Sequence, residues 1–76
     1  MNNTRREKLR KEKNNIEAMI VTLGDLKDEE EECYEVIPIT LRWSGKGLAS
    51  GVAIESIREA IECLYDTFQF IETAAE

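Results

Sequence analysis

Ile54-Glu55-Ser56-Ile57-Arg58-Glu59-Ala60-Ile61-Glu62-Cys63-Leu64-Tyr65-Asp66-Thr67-Phe68-Gln69-Phe70-Ile71 is the stretch whose reading decides the fold. Ile54, Ile57, Ile61, Leu64, Phe68, Ile71 and, just beyond it, Ala75 recur alternately three and four residues apart. That is the a/d pattern of a coiled-coil helix, unbroken over about three heptads. Glu55, Arg58, Glu59, Glu62, Asp66, Gln69 and Glu72 take the outer face. A helix with one apolar stripe must bury that stripe against another element. Val52, Tyr65 and Phe70 fall off the stripe, and Ala53 and Ala60 flank it, so a second contact surface would draw on them.

Moving towards the N-terminus, Pro38-Ile39-Thr40-Leu41-Arg42-Trp43-Ser44-Gly45-Lys46-Gly47 interrupts the periodicity. Ser44 can cap the second helix, because a serine hydroxyl can accept from the free backbone N–H groups of a first turn. Ser50, with Gly51 just inside it, is a competing cap, so the start falls within 44–51. Before the proline, Leu9, Ile16, Met19, Ile20, Leu23, Leu26, Cys33, Tyr34 and Ile37 recur at three, four and seven, which places them on one helical face. Glu12 and Glu30 interrupt that face. Thr4-Arg5-Arg6-Glu7 fits the S/T-x-x-E capping box at the helix start. Pro38 ends the helix, since proline pushes the preceding residue out of the helical region and has no N–H.

These signals predict an all-α chain. One domain over 1–76 holds a helix at about 4–37, a loop at about 38–47 and a helix at about 48–74. Two helices joined by a short loop pack as an antiparallel, coiled-coil-like hairpin. Setting Ile37 opposite Leu48 gives a register in which facing residue numbers sum to about 85. That register places basic residues 5–13 beside acidic residues 66–76. It also separates Cys33 and Cys63 by about eleven helical residues, roughly 16 Å at the helical rise. A disulfide requires Cα atoms within about 7 Å, so none is expected within the chain.

The chain has 76 residues and a net charge of −6. A single hairpin of this size has little core, and the far side of each helix stays wet. With two cysteines and no histidine, neither a disulfide framework nor a tetrahedral metal site is expected to compensate. Self-association is the remaining route, so a homo-oligomer is expected: a dimer forming a four-helix bundle, or something larger. No apolar run approaches the roughly 20 residues that span a bilayer. The N-terminus is charged, with no apolar core of a signal peptide. A cytoplasmic location with reduced thiols is therefore expected.

Charge is unevenly distributed. Residues 1–13 carry +4, residues 14–36 carry −7, residues 37–54 carry +2 and residues 55–76 carry −5. An acidic body disfavours direct nucleic-acid binding, which depends on Lys and Arg neutralising phosphates. The run Asp28-Glu29-Glu30-Glu31-Glu32 could imitate nucleic-acid charge towards a basic protein, or could be a solvated helix face. Contiguous helical residues diverge, and the spacing of a calcium-binding loop is absent, so no metal is expected there. The basic segment Arg5–Lys13 could grip an anionic surface, but its interleaved Glu7 and Glu12 favour pairing within the hairpin.

Arg42-Trp43-Ser44-Gly45-Lys46-Gly47 is the one stretch with a candidate ligand chemistry. Its glycines free the backbone to approach a ligand, and a helix N-terminus presents bare N–H groups. Arg42 and Lys46 supply cations, and Trp43 a face on which a base could stack. Ser44 and Gly47 complete the candidate site for a phosphate or nucleotide. The order is not that of a phosphate-binding P-loop, and no strand precedes it. The competing reading is a glycine-rich turn. Catalysis finds no support: there is no histidine, the serines are few and unpartnered, and neither cysteine has an activating neighbour in sequence. No enzyme and no cofactor are expected.

Taken in order, an N-terminal Arg5-Arg6 helix, Asp28–Glu32, Tyr34, Pro38, Leu41, Ser44, Gly47 and a last helix with Ile57-x-x-Ala60-Ile61-x-x-Leu64 resemble a group of small, acidic, uncharacterised helical proteins. These occur in bacteriophages and in Gram-positive bacteria carrying prophage-like elements. Tyr65, Phe68 and Phe70 make this chain's last helix more aromatic than that pattern. The resemblance implies no known activity. It implies a mobile-element setting, and from it the expectation of a non-enzymatic accessory protein that antagonises host defence. Such a protein would act by capturing a nucleotide signal at Arg42–Gly47, or by blocking a nucleic-acid-binding defence protein with Glu29, Glu30, Glu31 and Glu32. The expectation from a different class is a purely structural oligomerisation or scaffold module.

Overall fold

The computed structural model describes all 76 residues and contains two long helices packed side by side. Helix α1 runs Asn3–Glu35, a 3-10 turn covers Ile39–Leu41, and helix α2 runs Gly45–Ala74. The molecule is a rod of 58 × 15 × 13 Å, the shape of one antiparallel hairpin. The fold class is therefore that expected from the heptad pattern, and no strand is present.

On α2, Gly47, Ser50, Ile54, Ile57, Ile61, Leu64, Phe68 and Ile71, and Ala75 just past its end, are the residues withdrawn from solvent at alternate steps of three and four. The expected stripe is thus the seam, extended towards the bend by Gly47 and Ser50. On α1 the matching seam is Arg6, Leu9, Lys13, Ile16, Ile20, Leu23, Lys27, Glu30 and Tyr34, continued just past its end by Ile37. Here the expectation of one nine-residue apolar face needs correction. Met19 and Leu26 are half exposed and Cys33 is exposed. Each precedes a seam residue by one position, which turns it about 100° around the helix and out of the contact. Glu12 is likewise outside the seam, whereas Lys13 and Lys27 lie in it.

The register is the expected one. Lys13 Nζ lies 4.0 Å from Glu72 Oε1, and the Arg6 guanidinium donates to the Glu76 carbonyl at 3.4 Å. Ile20 and Phe68 line one depression with Glu17 and Tyr65. The basic start of α1 therefore lies along the acidic end of α2. These contacts are solvent-exposed and contribute little each, so they complement a register that apolar packing sets.

Element ends differ in detail from expectation, although α2 starts within the expected 44–51. Asn2, not Thr4, caps α1: its Oδ1 accepts from the Arg5 N–H at 2.8 Å. An asparagine two residues earlier is an equally good cap and lengthens the helix. At the other end α1 stops at Glu35 rather than 37, because Pro38 forces the chain to leave the helix before its ring. The segment expected as loop 38–47 is shorter: α2 begins at Gly45, so Lys46 and Gly47 are helical. Ser44 occupies the cap position, yet its Oγ donates to the Leu41 carbonyl at 2.6 Å instead of accepting from α2. Ser50 is inside α2 and buried, not a cap.

The bend closes without a single left-handed residue. The 3-10 turn and its neighbours pass one to the next: Leu41 N–H to the Pro38 carbonyl, Arg42 N–H to Ile39 and Ser44 N–H to Leu41. What the hairpin lacks is depth. Three of 76 residues are buried, Ile54 is the only large apolar one, and no side chain is fully enclosed.

Candidate functional site

Arg42 leaves the 3-10 turn and reaches back over the end of α1. Its Nε donates to the Ile37 carbonyl and its Nη2 to the Glu35 carbonyl, both at 3.1 Å. Its guanidinium lies 5.1 Å from the centre of the Tyr34 ring. The last carbonyls of a helix have no partner within it, and a planar cation with several donors can satisfy two at once. Arg42 is thus held by the protein's own backbone and by an aromatic face.

Gly47 is buried, one turn into α2, against the backbone of Arg42. Its lack of a side chain permits that contact. Trp43 is 82% exposed, the most exposed large apolar side chain in the chain. It borders a shallow depression with Gly47, Tyr34, Leu48, Gly51 and Val52, so Trp43 and Gly47 are the two candidate residues brought together. Lys46 makes no ion pair and borders a different depression, with Cys33, Val36, Ile37 and Ala49. Arg42, Trp43, Ser44, Lys46 and Gly47 therefore do not converge on one concavity. Arg42, Ser44 and Gly47 build the bend, and Trp43 and Lys46 face different depressions.

What the bend does present is apolar surface. Ile39 is 72% exposed, and Leu41, Leu48 and Val52 are exposed with Trp43. Scattered single apolar residues are ordinary, but several gathered at one end of a narrow rod are not.

The acidic stretch divides in the same way. Glu30 sits in the seam, where its Oε1 accepts from the buried Ser50 hydroxyl at 2.6 Å. Glu31 accepts from Lys27 Nζ at 3.2 Å and lies 3.8 Å from the Arg58 guanidinium across the hairpin. Glu29 and Glu32 alone face solvent without an ion-pair partner. The four carboxylates do not form one surface. No group of three or more Asp, Glu and Cys side chains is arranged to hold a metal ion. Both cysteines are free and exposed. No helix is long and apolar enough to cross a membrane.

Two features of this region went unanticipated: the Tyr34–Arg42 stack and the Glu30–Ser50 bond. The second had a signal. Glu30 is one of the polar residues that interrupt the apolar face of α1, and Ser50 lies four residues before Ile54, on the face that must meet it. A search of family models, of curated proteins and of solved structures finds no match to the chain.

Proposed function

We propose that the chain is a non-catalytic protein-binding module whose contact surface is the bend end of the hairpin. The observation that carries this is the gathering of Ile39, Leu41, Trp43, Leu48 and Val52, all exposed, around a backbone that Arg42 and Gly47 fix in place. Binding energy concentrates in a few exposed aromatic and aliphatic anchors on rigid supports. A pre-organised bend loses little entropy on binding. The partner fitted by this end is a protein with an apolar groove. A role as an accessory antagonist of a host-defence component, which the resemblance implies, would be exercised through it.

Nucleotide capture at the same bend has less support, because Arg42 already serves α1 and the second cation, Lys46, faces elsewhere. Blocking of a basic protein by an acidic face would rest on Glu29 and Glu32, since Glu30 and Glu31 are engaged within the hairpin. The test is affinity capture from the expressing cell with the wild type and with Ile39→Ser/Trp43→Ser side by side. A protein recovered with the wild type and lost with the double variant is expected. Recovery that the double variant retains, and that Glu29→Gln/Glu32→Gln loses, would move the contact to the acidic face. Calorimetry with nucleotides that gives heat abolished by Lys46→Ala would restore the ligand reading.

A further inference from the structure

The two sides of the hairpin differ. On one, Glu31 meets Arg58 and Lys27, and Glu17, Glu55 and Glu62 add further charge. On the other, α2 carries no charged residue from Ala49 to Ala74: Ala49, Ala53, Ser56, Ala60, Cys63 and Thr67 follow at alternate steps of four and three. Phe70, 76% exposed, continues that row. The Met19, Leu26 and Cys33 row of α1, with Val36, runs on this same side, since Cys33, Val36 and Ala49 border one depression. We propose that this side, on which α2 carries no charge between Ala49 and Ala74, is the docking surface for a second copy of the chain, making a four-helix bundle.

Three observations name a second copy as the occupant. The first is need. With three buried residues and no enclosed side chain, one hairpin leaves its apolar groups largely wet, and pairing is how short bundles complete a core. The second is area. The α2 row spans about 38 Å at the helical rise. Over two helices about 20 Å across, that gives on the order of 700 Å² per copy, against about 800 Å² per partner in a standard stable interface.

The third is shape. The register places Met19 level with Thr67 and Leu26 level with Ala60. Nearer the bend, Cys33 is level with Ala53 and Val36 with Ala49. Each large α1 side chain thus runs beside a small α2 one, a row of projections next to a row of hollows. At the open end the sense reverses, with Phe70 level with Asn15. A two-fold axis along the hairpin lays the projections of each copy in the hollows of the other, level for level. Such an isologous contact is closed and self-complementary. It sets the two bends at the same end. Glu29, seven residues from Thr22 and so on the same outer edge, then comes level with the partner's Ser56, a hydroxyl that can donate to it, while Glu12 and Lys46 lie at the two ends of the face.

Thr22 and Cys63 sit at the outer edges of the face, at the same level. Within one hairpin they project away from each other, whereas across the two-fold axis each meets its counterpart in the other copy. The experiment uses Thr22→Cys in a Cys33→Ser chain that keeps Cys63. Light scattering of the wild type is expected to give twice the 8.7 kDa of one chain. Oxidation of the variant is expected to give a covalent dimer on a non-reducing gel, and Asp28→Cys in the same background none. Ala60→Glu should halve the mass, and Tyr65→Glu on the opposite side should not. A wild-type mass of one chain, leaving the face to another protein, overturns the proposal. So does a dimer in which Thr22→Cys is not bridged to Cys63, or is bridged within one chain.

Discussion

The α-carbon of Gly47 packs so closely on Arg42 that a Cβ at position 47 would come 2.3 Å from the Arg42 carbonyl oxygen and 2.6 Å from its carbonyl carbon. Both atoms are backbone, and Arg42 is held on its other side by α1, so neither can swing away. Gly47→Ala must therefore move the bend relative to α2.

Opposed effects decide the size of that change. Alanine in a helix interior is favoured over glycine by about 1 kcal/mol, and forcing extra atoms into a packed site costs about 1–3 kcal/mol. With backbone on the receiving side the second should win, so Gly47→Ala is expected to destabilise by about 1–2 kcal/mol in urea unfolding. Gly24 and Gly51 have nothing within 4 Å of a would-be Cβ. Gly24→Ala and Gly51→Ala should each stabilise by about 0.5–1 kcal/mol. Equal behaviour of all three glycines would mean that the close approach at position 47 has no energetic weight.

Arg42 has a complementary role, covering the carbonyls that α1 leaves unpaired. Arg42→Ala should cost about 1–2 kcal/mol, from two hydrogen bonds that involve a charged donor and are partly exposed. Lysine cannot reach two carbonyls in a plane while stacking on Tyr34, so Arg42→Lys should recover less than half of the loss. Full recovery by lysine would assign the effect to charge alone. Hydrogen exchange at Glu35–Ile37 is the sensitive readout, since fraying there should precede global unfolding.

How much of this was legible beforehand follows from which forces act locally. The seam of α2 could be read because its heptads are uninterrupted, and the register followed from the length of the connection. The α1 seam was blurred by Met19, Leu26 and Cys33. Apolar residues one position ahead of the true seam look like members of it until the partner helix fixes which face turns inward. Lys13 and Lys27 were hidden for the converse reason: a long aliphatic stem can lie in a seam while its ammonium reaches water. In sequence, Gly47 and Arg42 have the composition of a phosphate cradle. Their use in a backbone contact and a helix cap is a tertiary matter that no spacing rule encodes.

Glu30 and Ser50 test the buried polar contact. Ser50→Ala leaves a half-buried carboxylate without its donor, and Glu30→Leu leaves a buried hydroxyl without its acceptor. Each single change should destabilise by about 1–2 kcal/mol. Replacing both leaves nothing unpaired and adds apolar area next to Ile54. The double variant should therefore lie within about 0.5 kcal/mol of the wild type or above it, a coupling of more than 1 kcal/mol. Strictly additive losses in the double-mutant cycle would show that the bond contributes nothing specific.

The two seam lysines should respond differently to the same substitution, because their surroundings differ in kind. Isoleucine in a half-buried seam position gains about 1–1.5 kcal/mol of burial over a lysine stem. At position 13 that gain is set against the Nζ contact with the Phe68 ring at 5.4 Å and the ion pair with Glu72 at 4.0 Å. Together these contribute roughly 0.5–1.5 kcal/mol at exposed sites. Lys13→Ile should thus be near neutral. At position 27 there is no ring; losing the surface contacts with Glu31 at 3.2 Å and Asp28 at 3.6 Å costs only about 0.3–0.5 kcal/mol, and Glu31 keeps Arg58. Lys27→Ile should therefore raise stability by about 1 kcal/mol, seen as a higher melting temperature at fixed protein concentration. A lysine at a seam position also restricts register and assembly, since sliding the helices would bury its ammonium. In the Lys13→Ile/Lys27→Ile double variant that restriction is gone. Species larger than those of the wild type should then appear in light scattering, even as the melting temperature rises. A double variant that is both more stable and unchanged in mass would show that the apolar seam alone sets the pairing.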